Sequence, residues 1–237
     1  MSKEAKSSRM PALSNNGLTA HQDFPAAPYE AVHAQVEARW SQEASYFQYT
    51  GAWNALAYRF HGAVDAGAIF QKSLKDCGPH PAPHQRFQQE EALFNFFSNG
   101  FAAFEAMFYG VFAVGSFINP QAFPLTTPKE RQRISPAHTA DAFKRAFPND
   151  PILDAFANLF TDPSYQRWRD MRNVLTHRAA PGRRVFVGIG TDDAPPVEWK
   201  INDQPLDDLL VPKYQRELAH LISDVVLAAE RFLNTRI

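Results

Sequence analysis

Arg172, Asn173 and His177 fall close together in the stretch Tyr165 to Arg184, YQRWRDMRNVLTHRAAPGRR. A guanidinium stays charged and can bind a phosphate through two parallel hydrogen bonds. An imidazole titrates near neutral pH and can take or give a proton. Together they offer what cleavage of a phosphodiester by a ribose 2′-hydroxyl needs: a base for the hydroxyl proton, a cation for the charge growing on the phosphoryl oxygens, and an acid for the leaving 5′-oxygen. None of these roles requires a metal. Between Arg167 and Arg184 there are six arginines and one acid, Asp170, in a chain of formal net charge -1. Positive charge gathered so locally suits an anionic partner rather than a general nucleic-acid coat.

A helix must present these groups. At about 100° per residue, Trp168, Met171, Val174 and Leu175 form an apolar seam, and Arg169, Arg172, Asn173, Thr176 and His177 form the opposite, polar face. Arg172 and His177 then sit about 140° apart, at the two edges of that face. Two such helices about a two-fold axis would bring two arginines and two histidines around one cleft. Plainer roles compete with this. His177 can complement the dipole at a helix C-terminus, and Arg172 can pair with a structural carboxylate. Asn173 can be surface, the other arginines solvated, and Trp168 core rather than a platform for bases.

The 237 residues can form one substantial domain, with 45% hydrophobic content and 20 Phe for an aromatic core. The single cysteine, Cys77, excludes an internal disulfide and a Cys-based zinc site. Residues 1–27, rich in Ser, Asn, Ala and Pro, read as a flexible tail without the apolar core of a signal peptide. Cytoplasmic residence, with no membrane association, is the expectation.

Residues 28–237 read as a helical domain. Tyr29, Val32, Val36 and Trp40 recur at helical spacing, with Ser41 or Gly51 as a break. A second run from about Ala52 to Lys75 offers Leu56, Phe60, Val64 and Ile69 to the core. In the loop GPHPAPHQ, prolines 79, 81 and 83 deny His80 and His84 a helical metal-binding geometry, so no metal and no cofactor are expected. Phe87 to Ile118 is apolar enough to suggest a membrane span. Asn95, Asn99 and Glu105 interrupt it and no basic cluster flanks it, so it reads as a central helix buried on most sides. Glu105 then lies at the surface or pairs with Arg169 or Arg172. Residues 119–133 form a Pro-rich loop. Ser135-Pro136, Asp150-Pro151 and Asp162-Pro163 each set a capping side chain before a proline and open three further helices. A small hairpin follows at about 183–201, and a helix from Pro212 to about Asn234 buries Leu218, Ile222, Val225, Ala229 and Phe232.

The run Arg172-Asn173-x-x-x-His177 resembles the Arg-x4-6-His signature of the HEPN superfamily (higher eukaryotes and prokaryotes nucleotide-binding domains), in which Asn often follows the Arg. The order of helices from Pro28 to Ile237 and the hairpin before the last helix are similar as well. The resemblance implies a mostly α fold, an antiparallel helical bundle with a small β-hairpin insertion. It also implies a metal-independent endoribonuclease of toxin or defence type, with a composite site in a homodimer and products ending in a 2′,3′-cyclic phosphate. His177 would be base or acid, Arg172 the phosphate cation, Asn173 an orienting group, and Glu105 an acidic residue on the preceding helix that joins the site. Arg169, Thr176, Arg178, Arg183 and Arg184 are the expected contacts to RNA or nucleotide. An antitoxin partner is also implied, although the position of a Tyr that a partner enzyme adenylylates is here Ala179. The alternative is a non-catalytic HEPN-like module that binds nucleic acid or nucleotide, or scaffolds a partner. A third reading is a helical protein whose motif match is accidental.

Overall fold

A computed structural model describes residues 21–177, 181–185 and 197–236. Among these the fold is mostly α. The order is α1 (Ala26–Trp40), α2 (Tyr46–Cys77), α3 (Pro83–Ile118), α4 (Pro128–Gln132), α5 (Pro136–Ala146), α6 (Ile152–Thr161), α7 (Pro163–His177), β1 (Arg183–Arg184), β2 (Glu198–Ile201), β3 (Gln204–Pro205) and α8 (Leu210–Asn234). The strands form one antiparallel sheet in the order β1-β2-β3.

α3 is the spine. It is apolar on most sides because it is covered on most sides. Phe97, Phe104, Phe108 and Phe112 are each fully buried, against α8, α7, α6 and the segment after α3 respectively. The helix is long and apolar enough to cross a membrane, and 67% of its most apolar window is buried within this fold. α2 runs antiparallel to it: Gly67 faces Phe96, Gly62 faces Asn99, and Gly110 faces Trp53. α7 is set against α3 by Trp168, whose ring lies over Gly100 and packs on Phe96 and Phe97 at 5.1 Å and on Tyr214 of α8 at 5.5 Å. α8 closes the bundle with a buried stripe of Leu218, Ile222, Val225, Ala229 and Phe232, and meets α1, where Gln35 Nε2 donates to Asn234 Oδ1 at 2.9 Å.

The expected caps are present. Ser135 Oγ accepts from His138 N, Asp150 Oδ1 from Ile152 N and Asp162 Oδ1 from Ser164 N, satisfying donors that a first helical turn leaves free. Some boundaries differ from expectation. α1 begins at Ala26 and Phe24 is already buried, so order begins inside the expected tail. α2 begins at Tyr46 and runs through Gly51 without a break. α4 forms inside the expected loop, because Thr127 and Glu130 make a reciprocal capping box. α3 begins at Pro83, so His84 lies in its first turn, exposed like His80. α8 begins at Leu210. Ile69 is 58% exposed, since Ala66, Gly67 and Phe70 occupy the inward positions of that turn. The hairpin gains a third strand, and residues 186–196 of its expected course lie outside the described residues.

A Cβ added at Gly100 would stand 2.2 Å from Trp168 Cζ3. Gly100→Ala should therefore lower stability by about 1–3 kcal/mol in urea unfolding, although alanine favours a helix more than glycine does.

Candidate functional site

α7 carries the motif along the outer side of α3. Its buried residues, Tyr165, Trp168 and Met171, fix its rotation. That rotation leaves Arg169 and His177 exposed and Arg172, Asn173 and Thr176 half-buried. Tyr165 packs on Phe104 at 5.1 Å, and burial pushes its phenol up to about 12, so it is neutral at pH 7.

Arg172 is held on several sides. Its Nη1 donates to Asn173 Oδ1 at 3.2 Å, its Nη2 lies 4.0 Å from Glu105 Oε1, and its Cζ lies 5.5 Å from the Phe101 ring centre. The structure thus brings Glu105 to Arg172, and Asn173 faces the guanidinium rather than the imidazole. The Thr176 hydroxyl donates to the Arg172 carbonyl at 2.8 Å, within its own helix. His177 ends α7 and makes no hydrogen bond or ion pair among the described residues. Five residues of rise place it about 7.5 Å along the axis from Arg172.

The remaining arginines disperse. Arg167 turns toward α8 and donates to Glu217 at 2.6 Å. Arg169 Nε lies 3.6 Å from Asp170 Oδ1, with both side chains exposed. Arg184 is 80% exposed and lies 3.7 Å from Glu198, its partner in the β1–β2 register. Arg178 lies outside the described residues. Arg183 departs from the expected nucleic-acid contacts. Its side chain is only 3% exposed, stacked 3.7 Å from the Trp199 ring centre, and donates to the Pro79 carbonyl, Gln89 Oε1 and Glu90 Oε1. Burial lowers its pKa from the ordinary guanidinium value, and the Glu90 contact pulls the other way. With its donors turned inward, Arg183 joins the sheet to the start of α3 and presents no face to a phosphate.

Each of the five described arginines thus lies within 4.0 Å of an acid, four of them acids from other elements. Exposed pairs are weak, and the contacts of Arg169 and Arg172, at 3.6 and 4.0 Å, are among the longer of these. A cavity of about 1070 Å³ lies elsewhere, between the end of α2 and the sheet, and is lined by Leu74, Lys75, Trp199 and Lys200 among others. Among the described residues it brings in neither histidine nor arginine. Phe101 and Tyr165 had no signal in the sequence beyond apolar periodicity. The partners of Arg183 had none, since Gln89 and Arg183 are far apart in the chain.

Arg183→Ala would leave Glu90 and Gln89 without their cation and should cost about 3 kcal/mol. Arg184→Ala, on an exposed pair, should stay within about 0.5 kcal/mol. Denaturant unfolding of the two variants makes the comparison. No family model, curated protein or solved structure matches the chain.

Proposed function

We propose that the outer edge of α7 is the catalytic face of a metal-independent, HEPN-like endoribonuclease. The observation that carries this reading is the pairing of a positioned cation with an open imidazole. Asn173 and Glu105 hold Arg172 beside solvent, and His177 stands unpaired among the described residues at the same end of the helix. In this reading Arg172 takes the phosphoryl oxygens, exchanging its distant contact with Glu105 for a two-point contact with the phosphate. His177 removes the 2′-hydroxyl proton or protonates the leaving 5′-oxygen. Glu105 and Asn173 are positioning residues that set the guanidinium before RNA arrives. α7 offers a single histidine on this face, so the two proton transfers call for a second copy, and a symmetric homodimer supplies it. A toxin or defence role with an antitoxin partner belongs to the same reading.

A non-catalytic module that binds RNA or nucleotide is the alternative. What favours it is the place of His177 in the last turn of α7, where a histidine complements the helix dipole without doing chemistry.

Incubation of the purified chain with RNA in EDTA separates the two. Cleavage should occur and leave 2′,3′-cyclic phosphate ends. Arg172→Ala or His177→Ala should slow it by about 10²–10⁴-fold with an unchanged helical circular dichroism spectrum. Undiminished cleavage by both variants would reject the assignment, and salt-dependent binding without turnover would favour the module.

A further inference from the structure

Beside the α7 edge, on the far side of Glu105, a groove of about 560 Å³ runs between α2 and α3 toward the start of α5. Its wall includes Phe47, Gly51, Ala55, Ala106 and Tyr109, and Glu105 itself lies on its border. The volume falls within the range of small-ligand sites. Glu105 is shared: the residue lines the groove, and its Oε1 lies 4.0 Å from Arg172 Nη2.

Two features of this groove are not explained by packing. The first is Gly51, inside α2. A glycine within a helix costs about 1 kcal/mol relative to alanine. At the other glycines inside α2 and α3 a Cβ would meet a neighbour: within 3.0 Å of a side chain at Gly67, Gly100, Gly110 and Gly115, and 3.1 Å from Asn99 at Gly62. At Gly51 it would meet nothing within 4 Å. Gly51 is exposed, and the space beside it is open. The second is Phe47, 64% exposed on the groove's wall. An aromatic ring beside a floor of small residues matches the shape of a planar heterocycle, which can lie flat on the backbone side and stack on the ring.

The polar groups state which heterocycle. The Glu105 carboxylate offers acceptors only. Tyr109 Oη donates to Gln48 Oε1 at 2.9 Å, which leaves the Gln48 amide NH₂ to donate into the same groove. Guanine presents two adjacent donors, N1–H and the 2-amino group, to a carboxylate, and an acceptor oxygen next to them for an amide donor. Adenine and cytosine place a ring acceptor beside their amino group, and uracil sets its one ring N–H between two carbonyls, so each turns an acceptor toward the carboxylate.

We propose that this groove is a base subsite for guanine, with the base stacked against Phe47 and its donor edge on Glu105, adjoining a phosphate held at Arg172. The proposal rests on the reading that the Arg172 edge meets RNA or nucleotide, and makes that site selective for guanosine.

Calorimetric titration of the full chain with 3′-GMP and 3′-UMP at low salt tests it. The wild type should prefer 3′-GMP by about tenfold or more, the scale of a two-point contact with a base edge. Gly51→Leu fills the open space and should cut 3′-GMP affinity by about tenfold while leaving the melting temperature unchanged or raised, so misfolding cannot account for the loss. Glu105→Gln, which puts a donor against donors, should bring the two affinities together. Arg172→Ala should weaken both nucleotides alike. Equal wild-type affinities, or a preference untouched by Gly51→Leu, would overturn the base subsite while leaving RNA cleavage standing, as would cleavage without 3′-GMP binding. If Gly51→Leu changes the sedimentation mass and not the preference, the groove is a subunit contact and the proposal fails. With neither nucleotide binding nor RNA cleavage, the underlying reading falls, and the subsite with it.

Discussion

The seating of Trp168 on the backbone of α3 at Gly100 is the constraint on which the candidate site depends. The indole is fully buried and is gripped by Phe96, Phe97 and Tyr214. Interiors packed this tightly do not slide continuously. Once Trp168 is placed, the helical repeat leaves no freedom in where its neighbours point. Arg167 meets Glu217 on α8, Arg172 meets Phe101 and Glu105 on α3, and Arg169 and His177 face outward. The polar edge is therefore positioned by an apolar contact on the opposite side of the same helix.

Electrostatics modifies what that edge can do. Along the chain, the arginines between 167 and 184 stand almost without acids. In space, Glu217, Glu105, Glu90 and Glu198 come to them from α8, α3 and β2. The outcome is graded by burial. Arg183, enclosed and stacked on Trp199, holds structure together. Arg169 and Arg172 sit on longer and more open pairs. The positive charge of this face is therefore smaller than a bare count of arginines suggests.

This explains what could be read from residues alone. Helix existence and type were legible wherever apolar periodicity was long, as in α3 and α8, and where a cap preceded a proline, as at Ser135, Asp150 and Asp162. The inward side of α7 was legible too, because Trp168 and Met171 follow one helical stripe. Boundaries were less so. Gly51 looks like a breaker, yet α2 continues through it because packing against α3 outweighs one residue's propensity. Ile69 faces outward since Gly67 must be the residue under Phe96. The charge partners were the hardest part. Nothing near Arg183 in the chain foretells Glu90, and nothing near Arg167 foretells Glu217, because ion pairing across elements follows from packing that one-dimensional periodicity does not contain. Glu105 was the exception. A lone carboxylate in an apolar helix must find water or a cation, and the motif helix was the nearest source of one.

The contact of α1 with α8 has a kinetic meaning. The α2–α3 hairpin is joined by a short link, Gly78–Ala82, and Gln89 ties itself back to the Gly78 carbonyl. Its two halves can meet early, since a short loop forfeits little chain entropy. Gln35 reaches Asn234 only when nearly the whole polypeptide has folded back on itself. Closure of the bundle by its first and last helices therefore carries the larger loop-closure cost, and α7 lies between the spine and this strap, tied to α8 through Arg167 and Trp168.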